Sequence, residues 1–467
     1  MMHEMVCDLA TQRRIHVVGV GGPGMSAIAT TLQQMGHLVS GSDIKNSLTI
    51  ERLQALGVQI NIGHDIAVVE NCDYVTASSA IPHHNIEIVA ARSAGTMVLS
   101  RAEILAAICS QRPTIAVAGT HGKTTTTSLL VRIFTHAGLH PNFIVGGDVL
   151  NESTGARWTN SQWTIVEADE SDGTHLQLPL TGSILTNIDS DHLDHFNNLA
   201  GIAESFAIYL SQIEGPRIVC IDDPLIRNLP HSGDWCTYGF DSTADFRCDD
   251  VIATDGRTEF VITDQRGDGL SVAISMSLRG RHNVLNVTGA VAMAVLCGIE
   301  MQVAADAVET FEGVGRRFQI IGDFNGATLI DDYAHLPREI EAVLAAAKFS
   351  DDGWERIVAV FQPNRYNRMA VMSPEYGDAF ANADLVVITD IYSSGTEKIE
   401  GVTGELVAHA VRARHPAQQV LYFPSRDSLA EQVSAVLQRG DVCISMGCGD
   451  IEFLPVEILQ TLQGGTR

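Results

Sequence analysis

Gly119-Thr120-His121-Gly122-Lys123-Thr124 is the stretch on which the fold turns. An apolar run, Thr114 to Ala118, precedes it, and Leu129, Leu130, Ile133 and Phe134 follow at helical spacing, so the reading is strand, tight turn, helix. The turn is a shortened G-x-x-x-x-G-K-[ST], with Val117 where the first glycine would stand. In such a turn successive amides surround phosphates, a lysine brings a cation to the terminal phosphate, and a hydroxyl serves Mg²⁺. Gly119, Thr120, His121, Gly122, Lys123, Thr124 and Thr125 are therefore the expected ATP-binding residues.

Toward the N terminus, Gly19-Val20-Gly21-Gly22-Pro23-Gly24 fits G-x-G-x-x-G between the apolar run Ile15 to Val20 and the helical pattern Met25 to Met35. Glycines there let the backbone approach a diphosphate, and the helix dipole favours its charge. Asp43, after the next apolar run, stands near the ribose-reading position. This turn alone admits NAD as well as a UDP-type diphosphate. Toward the C terminus, Glu167-Ala168-Asp169-Glu170-Ser171-Asp172 follows the strand pattern Thr164 to Glu167. A second polar stretch, Thr186 to His195, follows the pattern Ser183 to Thr186. Both clusters are expected at the edge of the sheet that carries the glycine turn, where carboxylates suit a hard cation.

Strand-like runs alternating with helical stretches imply parallel α/β sheets, and the pattern resets near Pro113 and again near Arg317. We expect three domains: 1–112, a Rossmann-like unit; 113–316, a P-loop ATPase-like unit; and 317–467, a Rossmann-like α/β unit. The stretches Thr258 to Thr263 and Ser271 to Ser277 suggest an antiparallel addition to the second. The 467 residues are 45% hydrophobic and 18% charged, too many for one core. Thirty Lys+Arg against 56 Asp+Glu give a net charge of -26, which repels nucleic acid and anionic lipid. Nine scattered cysteines without a C-x-x-C pair read as reduced, packed thiols. No apolar run approaches the ~20 residues that span a bilayer. A cytoplasmic protein with no nucleic-acid or membrane partner, monomer or weak homodimer, is the expectation.

Eight motifs stand in one order along the chain: Gly21 to Ser26, Gly119 to Thr126, Glu167 to Asp172, Asp191-His192-Leu193-Asp194, His282-Asn283-Val284-Leu285-Asn286, Gly315-Arg316-Arg317-Phe318, Asp331-Asp332-Tyr333-Ala334-His335 and Met446 to Asp450. By these the chain resembles the Mur ligases over nearly its full length. The resemblance implies an ATP-dependent ligase acting through an acyl phosphate, with UDP-N-acetylmuramate and L-alanine as substrates and Mg²⁺ as cofactor. It implies that Lys123 meets phosphate, that Thr124, Glu167 and His192 hold metal, and that Asn283 and Asn286 serve the adenosine. Arg317 and Asp332 match the pair at the entry to the third domain, and His335 beside Asp332 is a candidate proton acceptor. Gly21, Gly22, Gly24, Met25, Ser26 and Asp43 match the sugar-nucleotide side. Arg365 and Arg368 suit an α-carboxylate. Departures occur at Leu336 and Asn364, where the family usually has histidines, and at Thr396, where it has glutamate; Glu397 follows one place later. The alternatives are a family member that attaches a different amino acid or a peptide, a catalytically degenerate homologue, and a nicotinamide oxidoreductase, which leaves the second glycine turn unexplained.

Overall fold

The computed structural model describes residues 7–464 except 79, 153, 190–195, 197 and 231–233. His192, with Asp191, Asp194 and His195, lies outside the described residues.

Among the described residues the strands form three sheets, as the two resets of the sequence pattern require. The first comprises β1 (Arg14–Val18), β2 (Leu38–Asp43), β3 (Gln59–Ile62), β4 (Tyr74–Ala77) and β5 (Met97–Ser100), all parallel, in the order β3-β2-β1-β4-β5. Chain direction across this sheet reverses beside β1, which places the first glycine turn at the crevice where such sheets bind ligands. Helix α1 (Pro23–Gln34) follows that turn, and α2 (Arg101–Cys109) follows β5 through a capping box of Ser100 and Glu103.

The second sheet has ten strands: β6 (Thr114–Ala118), β7 (Asn142–Val149), β8 (Thr154–Arg157), β9 (Thr164–Glu167), β10 (Gly182–Leu185), β11 (Arg217–Cys220), β12 (Cys236–Gly239), β13 (Phe246–Thr254), β14 (Arg257–Asp264) and β15 (Leu270–Met276). Their order is β15-β14-β13-β12-β11-β10-β6-β9-β7-β8. Strand β6 pairs in parallel with β10 on one side and β9 on the other and is buried at every residue, hence its unbroken Thr-Ile-Ala-Val-Ala sequence. The turn after it opens into α3 (Lys123–His136). The stretch expected as an antiparallel addition forms β14 and β15 at the far edge. Helix α4 (Arg281–Leu296) carries Asn283 and Asn286.

The third sheet runs β16-β17-β21-β18-β19-β20, built from β16 (Gln319–Phe324), β17 (Ala327–Asp332), β18 (Arg356–Phe361), β19 (Leu385–Ile388), β20 (Gln419–Tyr422) and β21 (Asp441–Met446). All pairings are parallel except β16 with β17. Alternate residues of its central strands feed two cores. Ile330, Ala359, Phe361, Ile444 and Met446 enter one, with Ile340 and Leu344 of α5 (Pro337–Phe349); Leu329, Val358, Val360 and Cys443 enter the other. The first sheet and most of the second belong to one compact unit, and the third belongs to another with Asp250–Phe260 and Ser275–Val284.

No helix among the described residues is long and apolar enough to cross a membrane. All nine cysteines are reduced, and burial pushes the thiols of Cys109, Cys220 and Cys443 up to about 12.

Candidate active site

At the C-terminal end of β6 the chain turns through Gly119 (φ +119°) and Gly122 (φ +81°), both in the region that side chains avoid. A Cβ on Gly122 would lie 2.5 Å from Asn286 Oδ1, and one on Gly119 would run into Thr186 Oγ1. The turn is thus packed against α4 and against the residues after β10. Gly122→Ala should destabilise the fold by about 1–3 kcal/mol, from strain plus overlap with Asn286. Urea unfolding beside a nucleotide titration checks this, with weaker ATP binding expected.

The residues after β10 grip the turn from one side. Asn187 Oδ1 accepts from His121 N at 2.8 Å, and Asn187 Nδ2 donates to His121 O at 3.0 Å. Thr186 Oγ1 donates to the same carbonyl at 2.7 Å, and Asp189 N donates to Thr120 Oγ1 at 2.9 Å. His121 Nε2 lies 3.0 Å from Asp189 Oδ2, so the imidazole is bound to the clamp as an orienting group. No side chain caps α3 among the described residues. Its first-turn amides, starting at Lys123, Thr124 and Thr125, face the turn.

Lys123 points back into the protein. Its ammonium donates to Gly119 O at 2.7 Å, to Thr120 O at 3.2 Å and to both oxygens of Glu170 at 3.0 and 2.9 Å. Burial works against its charge, but Glu170, Asp169 and Glu167 hold its pKa above the usual lysine range. Glu170 is nearly fully buried in this pair, a role that its acidic surroundings in the sequence do not reveal. Asp169 and Asp172 meet the guanidinium of Arg101 instead, at 3.0 and 2.9 Å.

Glu167 ends β9 directly opposite Val117 of β6. Its Oε2 is 2.6 Å from where a Cβ on Gly146 would stand, so that glycine keeps the space at the carboxylate open. Thr124 sits in the first turn of α3. A hydroxyl, and a carboxylate with room beside it, are the hard oxygen donors that Mg²⁺ prefers. Among the described residues, no three His, Cys, Asp or Glu side chains form a metal cage.

At the first glycine turn, Gly21 N donates to Asp43 Oδ2 at 2.9 Å, and Lys45 N donates to Oδ1 at 3.3 Å. Asp43 therefore shapes the turn in this state, and its carboxylate is shared between two amides. Gly22 caps α1, Met25 is buried beneath it, and Ser26 Oγ donates to Pro23 O at 2.9 Å. Gly24 faces Arg101, whose Nη1 is 3.4 Å from the position of a Cβ there. Strand β2 is braced next to Asp43 by buried Glu87. Burial would raise that carboxyl, but the nearby His16 ring and hydrogen bonds from Ser42, Asp65 and His64 outweigh it and hold the pKa at about 2.

Within the third unit, Arg316 (φ +60°) donates from Nε to Asp331 Oδ2 at 3.0 Å and from Nη2 to Gly447 O at 2.7 Å, while Nη1 pairs with Glu452 at 2.9 Å. Arg316 and Arg317 lie 5.0 and 5.2 Å from the Tyr333 ring. Asp332 accepts Phe318 N and Ala334 N, both at 2.7 Å. Burial pushes it up to about 6 even so, against Arg317 and those two amides. A carboxyl raised from 3.8 stabilises the fold fully below pH ~4, and that contribution of about 3 kcal/mol is lost as pH rises through ~6. Against Asp332→Asn, the parent should lose about 2–3 kcal/mol between pH 4 and 7 in urea titrations.

His335 is not partnered by Asp332, beside which it stands in sequence. Its Nδ1 is 3.2 Å from Glu339 Oε2, which also accepts His335 N and Leu336 N, and Tyr376 donates to its carbonyl. The departure Asn364 falls on one segment with the arginines, and the departure Thr396 reaches that segment from the stretch after β19. Asn364 Oδ1 accepts from Arg368 at 3.2 Å, and Thr396 Oγ1 accepts Tyr366 N at 2.9 Å. Arg365 itself has φ +62° and donates its backbone N–H to Tyr392 O. Asn283 Nδ2 donates to Arg279 O, and Asn286 is one turn further along α4, against Gly122.

Models of three domains match the chain in series: "Mur ligase family, catalytic domain" over 14–113, "Mur ligase middle domain" over 117–294 and "Mur ligase, glutamate ligase domain" over 316–449. The chain belongs to the Mur ligase family. This Mur ligase is 39% identical to UDP-N-acetylmuramate–L-alanine ligase of Geotalea daltonii over 94% of its own length and 95% of that protein. It is 41% identical to the protein of that name from Geobacter sp. (strain M21), with the same coverage. Among solved structures, UDP-N-acetylmuramate-alanine ligase of Thermotoga maritima superposes with TM-score 0.82 at 26% identity, covering 97% of this chain and 100% of that one. A murein peptide ligase of Psychrobacter arcticus gives 0.69 at 25% identity, covering 96% and 98%. In this Mur ligase, sequence reasoning missed Arg101, the clamp role of Asn187 and Asp189, and Glu339. Their partners lie up to 73 residues away, and only Glu339, four residues after His335, carried a local signal.

Proposed function

We propose that this protein joins L-alanine to UDP-N-acetylmuramate at the expense of ATP, in the cytoplasmic synthesis of peptidoglycan precursors that supports cell shape and division. The observation that carries this reading is kinship along almost the whole of both chains with the two alanine ligases above. ATP use follows from the family. The residue roles that follow are part of the proposal.

A carboxylate resists attack by an amine because its leaving group is oxide. Phosphorylation removes that obstacle: the lactyl carboxylate attacks the γ-phosphate, ADP leaves, and the amine of alanine then displaces phosphate from the acyl phosphate. Both partners of the first step are anions. Lys123, on leaving Glu170, and the amides from Gly119 to Thr125 offset their repulsion and stabilise charge on the transferring group. Thr124 and Glu167 would hold one Mg²⁺ and His192 a second, and when bound the ions supply positive charge at the phosphate oxygens. Asn283 and Asn286 hold the adenosine side, the first glycine turn with Asp43 holds the uridine diphosphate, and Arg365 and Arg368 take the carboxylate of alanine. Arg317 and Asp332 act at the entry to the third domain, and His335, oriented by Glu339, accepts a proton from the amine.

Phosphate release from ATP with UDP-N-acetylmuramate and, in turn, Ala, Gly, Ser and a short peptide tests the reading. Alanine should be the best acceptor. Release with the peptide alone would overturn the substrate assignment.

A further inference from the structure

We propose that Arg101 is a positioning residue for Lys123, masking Asp169 and Asp172 so that, among the described carboxylates, only Glu170 hydrogen-bonds the ammonium until nucleotide arrives. The inference rests on the reading of Lys123 as the phosphate lysine.

Arg101 is the first residue of α2, on the first sheet's side of the unit, yet its guanidinium serves the loop after β9. Nε and Nη2 both donate to Asp172 Oδ2, at 3.1 and 2.9 Å, and Nη2 also donates to Asp169 Oδ2 at 3.0 Å and Thr174 Oγ1 at 3.5 Å. The other oxygens of these acids are used within the loop. Asp169 Oδ1 accepts Ser171 N, and Asp172 Oδ1 accepts Thr174 N and Oγ1. Asp169 therefore stands between two cations. Burial would raise its carboxyl, but Lys123 and Arg101 together hold it well below the ordinary range.

Four carboxylates, Glu167, Asp169, Glu170 and Asp172, share this edge with two cations, Lys123 and Arg101. While Arg101 binds two of them, Lys123 makes hydrogen bonds to one carboxylate only among the described residues. Without Arg101, the charges of Asp169 and Asp172 fall on Lys123, in a poorly solvated place where they are weakly screened. The ammonium is then held more firmly against the protein and must be drawn away by ATP at greater cost. Arg101 thus acts through the acidic loop on the affinity for ATP, without touching the transferring phosphate. Its Nη1, facing Gly24, lines the first turn as well.

Arg101→Met should raise KM for ATP about tenfold while kcat falls less than about threefold. Adding Asp169→Asn to that variant should bring KM for ATP most of the way back, because the unmasked charge is gone. Arg101→Lys should keep KM within about threefold of the parent, since charge is retained. Arg101→Gln, polar and of similar reach, provides the neutral variant if the methionine protein does not fold. A rise confined to KM for UDP-N-acetylmuramate would assign Arg101 to the first turn and overturn the proposal. So would equal losses in all constants with no rescue by Asp169→Asn, the mark of a merely structural contact. Lys123→Ala is measured alongside. If it keeps near-parental turnover, the reading of the site fails; if it is inactive while Arg101→Met binds ATP normally, only this inference fails.

Discussion

Lys123→Ala should lower kcat/KM for ATP by a factor of about 100 to 1,000, or roughly 3–4 kcal/mol of transition-state stabilisation, the usual loss for one charged contact to a transferring group. Two effects oppose each other at this residue. The ammonium must give up Glu170 and two loop carbonyls before it reaches phosphate, which lowers its net contribution to binding. In the transition state, however, it faces several anionic oxygens at once, and that gain exceeds the loss of one carboxylate. The variant should fold. Burial already raises Glu170 above the ordinary carboxyl range, so it can take a proton when its partner is removed. Single-turnover phosphate release, with melting curves as the control for folding, decides the matter: turnover within about threefold of the parent would remove Lys123 from the chemistry.

Arg316→Ala should destabilise the third unit by about 3–5 kcal/mol, because it strips the partner from a buried carboxylate. Asp331 is only 2% exposed, and burial raises its carboxyl while Arg316 opposes this. The same guanidinium satisfies Gly447 O and pairs with Glu452, which ties the segment before β16 to the end of β21. Alanine leaves the acid and the carbonyl without that donor. Part of the loss should return at low pH, where Asp331 becomes neutral. Urea unfolding followed by the fluorescence of Trp354, which packs against Phe318 nearby, reads it out. A change below about 1 kcal/mol would mean that water replaces the arginine freely.

Sequence patterns located most of what local physics controls. The apolar run from Thr114 to Ala118 became β6 without a change of boundary, because a strand covered on both faces is continuously hydrophobic. The first strand ended at Val18, two residues before the run did, since Gly19 already turns with φ +75°. Strands β3, β7, β8, β11 to β13 and β16 escaped notice: β7, β8, β13 and β16 are interrupted by Gly, Asp or Arg, and β3, β11 and β12 are only four residues long. The second glycine turn, the acids after β9 and Asp189 after β10 lie at one edge of the second sheet, as parallel topology demands, while Asp191 and Asp194 lie outside the described residues. Which acid meets which cation was not legible: Lys123 with Glu170 spans 47 residues and Arg101 with Asp172 spans 71, distances over which spacing carries no information. His335 shows the same limit at short range. Adjacency suggested Asp332, but the backbone turns that carboxylate onto Phe318 N and Ala334 N, and the start of α5 brings Glu339 to the imidazole instead.

The self-contained pairing of Lys123 has a bearing on product inhibition. A ligase of this kind liberates orthophosphate at every turnover, beside the cation best placed to trap it. With that cation already neutralised from within, a lone small anion brings too few contacts to displace Glu170, whereas a triphosphate gripped along a whole row of amides brings enough. On the proposed reading, the cradle is thereby poor bait for spent phosphate, and product inhibition should be weak.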